Sequence, residues 1–235
     1  MDIAAIIPAF NEAEMIAATV RTVLEVPGVM LVVVVDDNSD DDTAELAERA
    51  GAKLVRLWAT AGKGGALEAG AKRAAGADVI LLLDGDLGET AVQASALLAP
   101  ILAGEADMTI AAFPPVESKA GFGFVMKLAR WGIARYGCGF EPAAPLSGQR
   151  AVTRECLETV RPFSAGYGAE VGLTIRALRA GFRLREVETT MTHAATGRDV
   201  HGFIHRGRQF VHVGLALMRL AREPAPTRRS DSDGW

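Results

Sequence analysis

A chain of 235 residues with 49% hydrophobic and 23% charged side chains has the make-up of an ordinary globular protein. Its net charge of −4 argues against broad nucleic-acid binding, which needs a basic surface, so no nucleic-acid partner is expected. Cys138 and Cys156 form no disulfide framework or zinc spacing, no apolar run reaches the ~18–20 residues of a membrane span, and no basic leader precedes the first strand, so the expected setting is reducing and cytoplasmic.

The first half alternates regularly. Ile3–Pro8 reads as an apolar strand, and a helix follows from about Ala13 to Leu24, broken by Pro27-Gly28. Met30–Val35 is a second buried strand, and the polar run Asp40-Asp41-Asp42-Thr43 is suited to cap a helix from Ala44 to Ala50. Lys53–Leu57 is a third strand, Gly62-Lys63-Gly64-Gly65 opens a helix to about Ala75, and Val79–Leu83 is a fourth strand. Four such alternations predict an α/β fold with a right-handed, parallel, doubly wound sheet.

The second half is less regular. A helix is expected over Val92–Leu102, a strand over Asp107–Ala112, and a loop from Pro114 to Gly123. Phe124–Tyr136 is an amphipathic helix, Pro145–Thr153 approaches a strand, and Ala169–Ala180 is helical. Arg183–Thr192 reads as a strand and Val200–Arg222 as a C-terminal helix. Residues 1–222 are therefore taken as one domain, with halves 1–113 and 114–222, and Pro, Gly, Ser and mixed charge mark 223–235 as a disordered tail.

The chemistry gathers where strands end. Asp84-Gly85-Asp86 closes the fourth strand, and ligands of open α/β sheets bind beyond the carboxyl ends of the strands. Hard divalent cations take oxygen ligands and commonly bridge carboxylate to phosphate, so Asp84 and Asp86 suit a metal–diphosphate clamp. The first strand ends Pro8-Ala9-Phe10-Asn11-Glu12 and the second Val35-Asp36-Asp37-Asn38-Ser39. Strand ends of this architecture share one edge, which places a proline, an aromatic ring and carboxylates beside the clamp to hold a nucleoside. Lys63 stands in a Gly-rich turn, but neither a preceding Gly nor a following Ser or Thr completes a phosphate loop.

Taken together, Pro8–Glu12, Val34–Ser39 with Thr43, Gly62–Ala66 and Asp84–Asp86 resemble the family-2 glycosyltransferases. The resemblance covers residues 3–113 and, more loosely, reaches about 213, with likeness to the dolichyl-phosphate mannose synthase-like and glucosyl-3-phosphoglycerate synthase-like branches. It implies the A-type glycosyltransferase fold, a mostly parallel Rossmann-like sheet flanked by helices, and a nucleotide-diphospho-sugar donor, a UDP- or GDP-sugar. It also implies that Pro8, Phe10, Glu12, Val35 and Asp37 surround the nucleoside, that Lys63 and Gly85 lie near the donor, and that Asp84 and Asp86 bind Mg²⁺ or Mn²⁺ with the diphosphate. Gly88 and Phe113 depart from the mannosyltransferase branch, so a GDP-mannose donor does not carry over.

Ser147, Gly148, Gln149 and Arg150 fall where the family places a loop near sugar and acceptor. The segment from Met191 to Asp199 resembles one that supplies a further metal ligand in relatives making sugar-phosphoglycerates, which points to His193. Arg198, Arg206 and Arg208 are candidates to neutralise the leaving diphosphate, because guanidinium forks fit phosphate oxygens. A base for the acceptor hydroxyl is expected at Glu170 or Asp199. The expected activity is metal-dependent sugar transfer to an acceptor such as a phosphorylated small molecule. A polyprenyl-phosphate acceptor and a non-catalytic nucleotide-sugar-binding protein are the alternatives. The apolar and basic stripe of Phe122–Phe140 leaves three roles open: peripheral contact with the inner face of a membrane, a homodimer interface, or core.

Overall fold

The computed structural model describes residues 1–113, 122–164, 168–192 and 211–227. Strands β1 (Ile3–Ala9), β2 (Val29–Asp36) and β4 (Val79–Leu82) are runs of mostly branched aliphatic residues, and nearly every side chain in them is buried. Burial on both faces requires helices on both sides of the sheet. Along β1, Ile3, Ala5 and Ile7 pack with α1 (Ile16–Leu24), while Ala4 and Ile6 face the opposite way onto α3 (Gly62–Arg73). A two-residue period thus feeds two cores. A Cβ on Gly70 would lie 2.3 Å from Ile6, so glycine lets α3 lie close against the sheet.

The sheet has seven strands in the order β3-β2-β1-β4-β6-β5-β7, with β3 at Lys53–Arg56, β5 at Met108–Ala112, β6 at Arg150–Thr153 and β7 at Leu184–Glu188. The first four strands are parallel, as their alternation predicts. Among the described residues only β6 runs against its neighbours, pairing antiparallel with both β4 and β5, and the sheet is therefore mostly parallel. This reversal brings the residues just before β6 to the edge where β1, β2 and β4 end.

The other differences from the sequence reading are local. The polar run 40–43 caps α2 (Thr43–Arg49) through Asp41, whose Oδ1 accepts from Thr43 N–H at 3.0 Å, while Asp42 makes no side-chain cap bond. The expected helix from Val92 is a 3₁₀ turn, Gly88–Gln93, followed by α4 (Ala94–Leu102). Helix α5 (Phe122–Tyr136) begins two residues before the expected Phe124, and a short α6 (Arg154–Val160) follows β6, capped by the Thr153 side chain. Strand β7 is shorter than the expected Arg183–Thr192. Glu223, grouped by composition with the disordered tail, pairs with Arg176 at 2.9 Å.

Helix α7 (Ala169–Arg179) packs with α5 and with a helix over 211–220, α8, in a third cluster that includes Val125, Ala129, Ile133, Val171, Ile175, Val213 and Leu217. Part of α5 is therefore core, while Phe124 and Trp131 are exposed. Among the described residues no helix is long and apolar enough to cross a membrane.

Candidate active site

The loops after β1 and β2 are built into each other. Asn11 and Asn38 adopt φ of 56° and 67°, the left-handed region that asparagine tolerates better than most side chains. Asn11 N–H donates to Ser39 Oγ at 3.0 Å, and Asn11 Oδ1 accepts from Asp40 N–H at 2.9 Å. Glu12 N–H donates to Thr43 Oγ1 at 2.7 Å, and Ala13 N–H to Asp41 Oδ2 at 3.2 Å. Asn11 and residues 39–43 thus fasten one strand-end loop to the next, a role added to the capping expected of the run 40–43. Beside them Pro8 is half-buried and Phe10 is 49% exposed at the strand edge.

Asp37 is buried and accepts from two amides at the entrance to α3, Ala61 N–H just before the helix at 2.7 Å and Gly62 N–H at 2.8 Å, one on each carboxylate oxygen. A carboxylate offers about four acceptor positions, so these bonds orient Asp37 without exhausting it. The Val35 side chain is buried in the core, which leaves its backbone as the part at the site. Neighbouring Asp36 is also buried, and its Oδ1 has no hydrogen-bond partner.

The centre of the site is a charged cluster at the end of β4. Leu82 pairs with Arg150 in the antiparallel register, so continuing the ladder sets Asp84 opposite Gly148. Asp84 Oδ1 accepts from Lys63 Nζ at 2.6 Å, and Oδ2 from Gln149 Nε2 at 2.7 Å. Asp84 N–H donates to Gln149 Oε1 at 2.9 Å. Lys63 Nζ also lies 3.0 Å from Glu170 Oε1 at the start of α7. Burial disfavours the Lys63 ammonium, but the charges of Asp84 and Glu170 outweigh it and hold its pKa above the usual lysine value. A Cβ at position 148 would sit 2.4 Å from Lys63 Nζ and 3.1 Å from both Asp84 oxygens, so glycine is required by the approach of these groups.

One cluster therefore joins Lys63 and Asp84, expected at the donor, Gly148 and Gln149, expected at the acceptor, and Glu170, expected as the base. Ser147 is buried on the same loop, with its hydroxyl unpartnered. Gly85 turns the chain between the two aspartates, and its carbonyl accepts from Thr19 Oγ1 at 2.8 Å; Asp86 follows, partly exposed. Glu12 packs its methylenes near Gly85, 3.3 Å from where a Cβ would stand. His193, Arg198, Asp199, Arg206 and Arg208 lie outside the described residues.

Asp84 and Asp86 supply the hard oxygen donors that a divalent cation takes. Among the described residues no third His, Cys, Asp or Glu completes a cluster with them. That set suits Mg²⁺ or Mn²⁺ held by one or two carboxylates together with substrate phosphates.

Arg150, read from the sequence with the loop near sugar and acceptor, is instead the first residue of β6, and Thr174 carries no signal in the sequence. Arg150 is fully buried at the first position of β6, where the next two residues, Ala151 and Val152, are apolar.

Residues 4–156 match the family described as Glycosyl transferase family 2. The chain belongs to glycosyl transferase family 2. Among its family-2 relatives, Glycosyltransferase AglJ of Haloferax volcanii is 32% identical over 202 residues, covering 83% of this chain and 64% of AglJ. Glucosyl-3-phosphoglycerate synthase of Mycolicibacterium smegmatis is 31% identical over 195 residues, covering 74% of this chain and 63% of the synthase. The chain thus spans less than two thirds of the length of these curated relatives. Among solved structures, glucosyl-3-phosphoglycerate synthase from Mycobacterium tuberculosis with Mg²⁺ and uridine-diphosphate superposes with a TM-score of 0.78 at 28% identity, over 95% of this chain and 80% of the other. The same synthase with Mn²⁺, uridine-diphosphate-glucose and phosphoglyceric acid gives 0.76 at 27% identity and the same coverage. This is the A-type glycosyltransferase fold expected from the family-2 motifs.

Proposed function

We propose that this family-2 protein is a metal-dependent glycosyltransferase that moves a sugar from a nucleotide-diphospho-sugar to a phosphorylated small molecule. The observation that carries the reading is the meeting of Asp84, Lys63, Gln149 and Glu170 at the carboxyl end of β4, beside Asp86. A uridine diphospho-sugar is the proposed donor and a phosphoglycerate-like molecule the proposed acceptor, since the mycobacterial synthase was crystallised with these classes of ligand.

The residues divide the work by position. Pro8, Phe10, Glu12, Asp37 and the backbone of Val35 form the nucleoside side. Asp86, supported by Asp84, holds Mg²⁺ or Mn²⁺, whose charge when bound offsets that of the departing diphosphate. Lys63 fixes Asp84 and Glu170 in one arrangement before the donor arrives, a preorganised electrostatic site. Glu170, buried and held at the acceptor side, is the carboxylate that orients the acceptor hydroxyl or takes its proton. Asp199 is the second candidate for that role. His193 as a further metal ligand, with Arg198 and Arg206 on the diphosphate, completes the proposal.

The proposed location is the cytoplasm, and Phe124 and Trp131 make a peripheral membrane contact the second location, tested by flotation with anionic vesicles. The function is tested by thermal stabilisation against UDP, GDP, dTDP, CDP and ADP sugars, with Mn²⁺ or with EDTA. Stabilisation by one nucleotide only in Mn²⁺ supports the reading, and equal shifts in EDTA refute the metal clamp.

A further inference from the structure

We propose that Arg150 is a positioning residue, whose buried guanidinium ties the loop 147–149 to the first turn of α7 and so sets Glu170 against Asp84 across the Lys63 ammonium. The inference rests on the reading of that cluster as the transfer site.

Arg150 is 0% exposed. Burying a guanidinium is costly, and an aliphatic side chain would suit a strand that continues with Ala151 and Val152. Its hydrogen bonds show what the charge is used for. Nε donates to Ser147 O at 3.0 Å, Nη2 to Glu170 O at 3.1 Å and Nη1 to Thr174 Oγ1 at 2.9 Å. Thr174 Oγ1 donates in turn to Glu170 O at 2.9 Å.

Each partner belongs to one side of the site. Ser147 begins the loop whose Gln149 is bonded twice to Asp84. Glu170 has its carbonyl on Arg150 while its carboxylate reaches Lys63. A rigid planar fork spans both loops at once, which a flexible ammonium does not do equally well. Arg150 and Lys63 also balance the charges of Asp84 and Glu170, so the four groups are jointly neutral. Burial lowers the Arg150 pKa to about 10, opposed by the charge of Glu170, and the group stays cationic at neutral pH.

The test uses the full chain carrying Arg150→Lys or Thr174→Val. Hydrogen exchange is followed at 147–149 and 170–174, alongside turnover and the affinity for UDP with Mn²⁺. The expected result for Arg150→Lys is faster exchange in both segments together, with kcat lowered at least ~10-fold while nucleotide affinity stays within ~3-fold. Thr174→Val changes the same quantities in the same direction, by less. Exchange that rises in one segment only, or uniformly through the sheet with kcat unchanged, overturns the inference. Absence of turnover in the unaltered protein refutes the transferase reading instead, and the paired exchange response then decides the role of Arg150 alone.

Discussion

Lys63 Nζ stands 3.0 Å from Glu170 Oε1 and 2.6 Å from Asp84 Oδ1, so one ammonium joins the start of α3, the end of β4 and the first turn of α7. Removing it leaves two carboxylates facing a shared gap. Lys63→Met is expected to lower stability by about 1–3 kcal/mol, the range for groups left unpaired on burial. Adding Glu170→Gln to Lys63→Met removes one of the stranded charges and restores part of that loss, a coupling that urea denaturation of the two singles and the double will measure.

Gly148→Ala tests the same cluster by volume instead of charge. The added methyl must displace Lys63 Nζ, 2.4 Å away, or the Asp84 carboxylate. Overpacking of this kind costs about 1–3 kcal/mol. The expected outcome is a folded protein with little turnover, checked by circular dichroism beside a transfer assay. Full activity would show that the Lys63–Asp84 contact is dispensable.

Glu170→Gln keeps the shape of the side chain and removes its charge. With Glu170 as the acceptor-side carboxylate, kcat falls about 10²–10⁴-fold, the range for a positioned acid or base. Affinity for UDP with Mn²⁺ changes little, because Asp84 and Asp86 are intact. A drop in nucleotide affinity matching the drop in kcat would move Glu170 to the donor side.

How much was legible beforehand follows from what each residue depends on. Branched runs such as Val79–Leu82 announce buried strands by composition, and the Asp84-Gly85-Asp86 stop is visible because it is local. The reversal of β6 was not visible, because Arg150–Thr153 has only four residues and strand direction is set by tertiary pairing. With that direction unknown, the contact of Gly148 with Asp84 could not be derived from spacing. The run 40–43 is legible as a cap because the bond from Thr43 N–H to Asp41 Oδ1 is local, whereas the bonds of Glu12 N–H to Thr43 Oγ1 and of Asp40 N–H to Asn11 Oδ1 join two loops and only the fold shows them.

A loss of stability in acid is expected from a pair away from the site. Arg161 Nη2 donates to Glu68 Oε1 at 2.5 Å, and this bond holds the Glu68 pKa below its ordinary 4.5. A carboxylate with a depressed folded-state pKa stabilises the fold above its unfolded pKa and loses that contribution as pH falls through the folded value. Stability is therefore expected to fall below about pH 4.5, and Glu68→Gln to flatten that slope in denaturation curves taken from pH 6 downward.

Sugar transfer at the Asp84–Asp86 site is tested by mass spectrometry of products from UDP-glucose, Mn²⁺ and a panel of phosphorylated acceptors that includes 3-phosphoglycerate, run with the unaltered protein and with Asp86→Ala. The account predicts a hexose added to one acceptor, lost in EDTA and lost in Asp86→Ala while the variant stays folded. Metal-dependent nucleotide binding with no transfer to any acceptor, or transfer that persists in Asp86→Ala, would contradict it.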